Sequence, residues 1–183
     1  MIETARSPKE SQTTITELMI PSYANFGGKI HGGILLSLMD KVAYACATKH
    51  SGMYCVTVSV DTVDFLQPVE VGDLVSLMAS VNYVGNSSMI IGIKVIAENV
   101  KQREVKHTNT SYFTMVAKGE DDRPVKVPPL KLETGEDIRR FAEAIKRKEL
   151  TSTYQTKMNR EKSHFQLEKD LELLKGHRCE IDL

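Results

Sequence analysis

The sequence predicts an α+β domain: a curved antiparallel sheet wrapped around one central apolar helix, with a helical C-terminal extension. Three observations carry that reading. Residues 25–50, NFGGKIHGGILLSLMDKVAYACATKH, pass from a polar, glycine-rich entry into a stretch that is apolar or small on nearly every side. After Gly52 the periodicity changes to an alternation of apolar and polar residues. Beyond Pro129 the composition shifts to charged segments that carry apolar residues at helical spacing.

A helix that is apolar all round either spans a membrane or forms the buried centre of a domain. This run is too short to cross a bilayer, and Asp40 and Lys41 interrupt it. It is therefore a core helix, with Asp40 as the one carboxylate inside it.

In chain order, residues 1–10 read as a loose start. Thr13, Thr14, Ile15 and Thr16 lean toward strand, which ends before Pro21. The central helix follows, opened by its glycines and stopped at His50-Ser51-Gly52. Cys55–Phe65 alternates Val56, Val58 and Val60 with Thr57, Ser59 and Asp61, the period of a strand. Gln67–Asp73 is a turn, Leu74–Val84 a second strand of this series, and Gly85–Ser88 a short connection. Met89–Val100 and Glu104–Ala117 complete a meander, because short connections make antiparallel neighbours. An amphipathic sheet needs a cover for its apolar face, and the central helix supplies one. Lys118–Pro129 is a charged, proline-bearing connector. Thr134-Gly135-Glu136-Asp137 resembles a helix-start capping pattern before Ile138, Phe141, Ala142 and Ile145. A second amphipathic segment carries Phe165, Leu167, Leu171 and Leu174 and stops at Gly176. The division falls into residues 11–130 and a charged helical extension, 131–183.

Composition narrows the function classes. At 183 residues the chain suits one domain plus an extension. Lys+Arg and Asp+Glu are both 24, so no global charge points to nucleic acid or a membrane surface. The polar N-terminus, MIETARSPKESQTT, holds no apolar targeting segment, and a cytoplasmic location is expected. Cys46, Cys55 and Cys179 make no CxxC pair, which argues against a disulfide framework. The five histidines show no HxxxH or clustered spacing, so no protein-built metal site and no cofactor are expected.

Four motifs occur in order: N-x-x-G-x-I-H-G-G-x-L-L-x-L-M-D, T-x-S-V-D-x-V-D-F, P-V-x-x-G-D and V-G-N-S-S-M. Together, over roughly residues 11–130, they resemble the acyl-CoA thioesterase branch of the hotdog fold. The nearest pattern is that of the brain acyl-CoA hydrolase-like enzymes and their single-domain bacterial relatives. The resemblance implies a homodimer, assembled further into a trimer of dimers. It also implies hydrolysis of acyl-CoA to free acid and coenzyme A, the latter a product rather than a cofactor.

The chemistry can be read from the residues beside that resemblance. Thioester hydrolysis needs an activated water and a place for negative charge on the carbonyl oxygen. Asp40, flanked by Leu36, Met39, Val42 and Ala43, suits the first task as general base, or as a nucleophile forming a mixed anhydride. The backbone amides of Gly32 and Gly33 at the helix start suit the second. Asn25 can add a side-chain amide donor or merely fix a turn; the resemblance makes it the catalytic partner of Asp40. His31 can donate to the substrate or serve the helix start. Asp40 lies seven residues beyond Gly33, a rise of about 10 Å at roughly 1.5 Å per residue. One chain therefore cannot place Asp40 beside its own helix N-terminus, and two antiparallel copies of the helix would share each active site.

The resemblance further implies coenzyme A contacts at Thr57, Val58 and Ser59 and at Asn86, Ser87 and Ser88. On residue type alone Thr57 and Ser59 are outward strand residues, and Asn86–Ser88 is a turn. Arg147 and its basic neighbours suit a phosphate, although a basic helix face is usually just solvated. Two other readings stand beside the hydrolase: a hotdog dehydratase, with His31 as its sole histidine candidate, and a non-catalytic acyl-CoA-binding regulator, against which Asp40 argues.

Overall fold

A computed structural model describes residues 4–183. The described chain divides into two compact units after Ala144. In the first unit, α1 (Pro8–Ser11) starts with a capping box: Lys9 N–H donates to Ser7 Oγ, and Ser7 N–H to the Glu10 carboxylate. This segment is more ordered than the loose start expected for residues 1–10, whose first three lie outside the described residues. Arg6 accounts for the difference. Its N–H donates to the Pro129 carbonyl and its guanidinium to the His50 carbonyl, which ties the segment to the fold.

Strand β1 (Thr13–Leu18) precedes the central helix α2 (Gly32–Ser51), which Gly52 ends in the left-handed conformation, φ 73°. Four strands follow: β2 (Tyr54–Val60), β3 (Leu74–Val84), β4 (Ser88–Asn99) and β5 (Glu104–Lys118). The sheet is fully antiparallel in the order β1-β3-β4-β5-β2. Only β3, β4 and β5 form a meander. Strand β2 pairs with β5 rather than with its sequence neighbour β3, and it stops at Val60 rather than Phe65. Residues 61–73 are long enough to carry the chain across the N-terminal end of α2. There the Ile30 N–H donates to the Val69 carbonyl, and the Phe65 ring lies against Gly32.

Packing follows the strand period. Val75, Leu77, Ala79 and Val81 of β3, Met89, Ile91, Ile93 and Val95 of β4, and Phe113, Met115 and Ala117 of β5 are buried against α2. The helix presents Leu35, Leu38, Met39, Val42, Ala43, Cys46 and Ala47 to them. Each large side chain fully buried here stabilises the fold by about 1.5–3 kcal/mol.

Helix α3 (Gly135–Ser163) begins on the capping pattern anticipated at Thr134: Asp137 N–H donates to Thr134 Oγ1, and Thr134 N–H to the Asp137 carboxylate. Its first turns, up to Ala144, belong to the first unit. The second unit holds the remainder of α3 and the short α4 (Leu167–Leu173).

Candidate active site

Asp40 sits on α2 at the border of the core. Its neighbours Met39, Val42 and Ala43 are fully buried, yet Asp40 itself is half-buried and Leu36 is exposed. The periodicity explains why. Positions i−1, i+2 and i+3 turn toward the sheet, whereas Asp40 shares a face with Leu36 and Tyr44, at i−4 and i+4. That face looks past the edge strand β2. The apolar enclosure anticipated for Asp40 is therefore one-sided within a single chain. The carboxylate opens into a pocket of about 390 Å³ with Lys41, Tyr44, Tyr54, Cys55, Val56 and Thr57.

The strongest contact in this pocket is one that sequence reasoning missed. Thr57 Oγ1 lies 2.6 Å from Asp40 Oδ1 and 3.2 Å from Met115 Sδ. The hydroxyl has one proton, and the carboxylate is the better acceptor. Asp40 Oδ1 is thus held by Thr57, which leaves Oδ2 toward the pocket. Thr57 looks like an ordinary strand residue in the sequence; only the packing of β2 on α2 makes it a partner of Asp40.

The other group of residues gathers at the N-terminus of α2. Asn25 Oδ1 accepts from the Gly27 N–H at 2.9 Å and the Lys29 N–H at 3.2 Å, which closes the glycine-rich loop. Its oxygen fixes a turn while its amide nitrogen remains a donor. Lys29 adds an ion pair to Glu70. His31 is the N-cap, and its Nδ1 accepts from the Gly33 N–H at 2.9 Å. An accepting Nδ1 puts the proton of the neutral ring on Nε2. Of the two glycine amides expected to hold charge, Gly33's is taken by His31. Gly32's has no acceptor among the described residues. The Phe65 ring covers Gly32 so closely that a Cβ there would lie 3.2 Å from it.

The two groups stay apart in one chain. Gly32 and Asp40 are eight residues apart on a continuous helix, about 12 Å at roughly 1.5 Å per residue. Thr57, Val58 and Ser59 lie exposed on β2, with a register shift between Thr57 and Ser59. Asn86, Ser87 and Ser88 lie at the turn into β4, at the end of the sheet where β2 begins: Ser88 pairs with Val116, and Val116 with Val56. Arg147 lies on α3 in the second unit, where it is engaged by other groups of the chain.

An antiparallel sheet curled on a central helix, with a carboxylate on the helix edge and an open amide at its start, defines a hotdog thioesterase. Residues 27–104 match the thioesterase superfamily. Protein VdlD of Helicobacter pylori is 50% identical over 133 residues, 73% of this chain and 76% of that protein. A crystal structure of an apo, hexameric acyl-CoA thioesterase is 34% identical and superposes with a TM-score of 0.80, covering 82% of this chain and 97% of that one. An acyl-CoA hydrolase from Staphylococcus aureus, solved with butyryl coenzyme A, coenzyme A and coenzyme A disulfide, is 28% identical, with a TM-score of 0.79 over 87% of this chain and 98% of that one. That hydrolase has also been solved with alanine replacing one asparagine, one aspartate or one threonine. The chain belongs to the thioesterase superfamily.

Proposed function

We propose that this protein hydrolyses acyl-CoA to a free acid and coenzyme A, with Asp40, Thr57, Asn25 and the Gly32 amide as its working groups. The observation that carries the reading is the Thr57–Asp40 hydrogen bond at the edge of the central helix. The intervals support it. In the S. aureus hydrolase the asparagine and aspartate replaced by alanine lie fifteen residues apart, and the aspartate and threonine seventeen. Positions 25 to 40 and 40 to 57 span the same intervals here.

In this mechanism Asp40 Oδ2 takes a proton from water, and the resulting hydroxide attacks the thioester carbonyl carbon. The Thr57 hydroxyl keeps Oδ1 in place. The tetrahedral oxyanion is held by the Gly32 N–H and the Asn25 side-chain amide, where the helix N-terminus also favours negative charge. Collapse breaks the C–S bond, the proton held by Asp40 passes to the departing thiolate, and the acid gives its own proton to solvent and leaves as carboxylate. His31 supports the site as cap, and its Nε2–H is a further donor.

Each such site needs groups from two protomers, since one helix holds its N-terminus and Asp40 about 12 Å apart. Strand β2 supports a homodimer: it is a sheet edge exposing Tyr54, Val58 and Val60, next to the exposed Leu36 and Tyr44 of α2. Three such dimers would give a hexamer like that of the similar thioesterase. The pantetheine arm would run along Val58 and Ser59, and the nucleotide would meet Asn86, Ser87 and Ser88.

Two experiments test this. Asn25→Ala and Asp40→Asn subunits, each inactive alone, regain activity when co-assembled, because one of the two sites then has both groups intact; no recovery sinks the shared site. Single turnover in ¹⁸O-water labels the released acid and leaves Asp40 unlabelled; label in Asp40 would establish the mixed-anhydride route instead. A chain that binds coenzyme A but releases no thiol from any acyl-CoA is not a hydrolase.

A further inference from the structure

The face of the sheet turned away from α2 holds a second cavity, of about 580 Å³, within the size range of small-molecule sites. Its floor is Ser80, Gly92 and Tyr112, paired across β3, β4 and β5, together with Asn82. Its wall is the first part of α3, with Glu136, Arg139, Arg140 and Glu143.

Two features make this a built site. Ser80 and Asn82 are only 7% and 8% exposed, and neither Ser80 Oγ nor Asn82 Oδ1 has a hydrogen-bond partner among the described residues. Such groups are costly to bury unless something satisfies them. Gly92 makes the space, since a Cβ there would collide with the Asn82 side chain. The charges form the second feature. Glu136 is held by Arg139 and Arg140, and Glu143 by Arg139 and Tyr112, so both carboxylates are neutralised within the wall. Arg140 uses only Nε on Glu136, and its two terminal nitrogens have no acceptor among the described residues. Lys94, on the same lining, has no ion-pair partner among them either.

We propose that this cavity binds a small phosphate monoester of a polyol, at a site separate from the thioesterase centre. The Arg140 fork and Lys94 match a phosphate dianion. Asn82 Oδ1 accepts but cannot donate, so it needs an O–H or N–H from the ligand, and Ser80 completes the match to hydroxyl groups. A neutral polyol would leave the cations unused, and a bare phosphate would leave Asn82 unmatched.

Calorimetric titration of the full chain with ribose 5-phosphate, in saturating coenzyme A, tests the proposal. One saturable site per protomer is expected, with inorganic phosphate and free ribose each at least about tenfold weaker. Lys94→Ala, an exposed substitution that leaves the melting temperature unchanged, weakens the sugar phosphate about tenfold, and Arg140→Gln does the same. No saturable heat up to about 10 mM, equal affinity for inorganic phosphate, binding seen only when coenzyme A is left out, or affinity unchanged in both variants would each overturn it.

Discussion

The Thr57 hydroxyl donates a 2.6 Å hydrogen bond to Asp40 Oδ1, joining an edge strand to the central helix at the one carboxylate within the helix's apolar run. A hydrogen bond to a charged group contributes about 1.5–3 kcal/mol. Thr57→Val keeps the shape and loses the donor, so kcat should fall roughly tenfold to a hundredfold with KM little changed. Thr57→Ser should recover most of the loss. A Thr57→Val enzyme with normal kcat would remove Thr57 from the mechanism.

Asp40→Asn should lower kcat by roughly 10²–10⁴-fold, the usual worth of a general base. Coenzyme A affinity and melting temperature should hold, since the side chain is half-buried and isosteric. A variant losing stability in step with activity would instead point to a structural role. Steady-state kinetics and thermal unfolding on one preparation separate the two.

Gly32→Ala puts a methyl group 3.2 Å from the Phe65 ring at the amide assigned to the oxyanion. The ring is about half exposed and can yield, so folding should survive. Displacement of the helix start should lower kcat/KM about tenfold or more, and Phe65→Leu in the same chain should restore part of it. Full activity in Gly32→Ala alone would show that this amide's position is not critical.

His31→Ala removes the cap of α2 and should destabilise by about 1 kcal/mol, a fall of roughly 2–4 °C in melting temperature. His31→Asn, a good N-cap, should return most of it. An unchanged melting temperature in His31→Ala would mean that Gly33 finds another acceptor.

His50 predicts a pH dependence of stability. Burial, aided by the nearby Arg6 guanidinium, lowers its pKa below the ordinary value of 6.5. The fold therefore favours the neutral ring. This contribution is fully present above the unfolded pKa and is lost as pH falls from there through the lower folded pKa. Between pH 7 and pH 5 the wild-type melting temperature should drop more than that of His50→Gln, which can still donate to the Pro128 carbonyl. Parallel pH profiles for the two would rule His50 out.

Much of the architecture is visible in the residues themselves. The apolar run from Ile34 to Ala47 could only be a buried helix, and the alternation through β3, β4 and β5 could only be strands. Their bounds agree with expectation to within a residue. Strand β2 is only partly legible in this way. Its alternation continues to Phe65, but whether those residues pair is a property of β5, and β5 reaches them only through hydrogen bonds at Asp61 and Leu66.

The chemistry divides in the same way. Asp40, Asn25 and the helix-start glycines stand out in the sequence, because a carboxylate in an apolar run and a glycine-rich turn before a helix are local anomalies. Folding decided which of their atoms remain available: His31 takes the Gly33 amide, Asn25 commits its oxygen to its own loop, and Thr57 claims one oxygen of Asp40. The reason is physical. Periodicity and composition act over one or two turns of chain, whereas Thr57 and Asp40, seventeen residues apart, meet only because the strand order, with β5 between β4 and β2, brings that edge against α2.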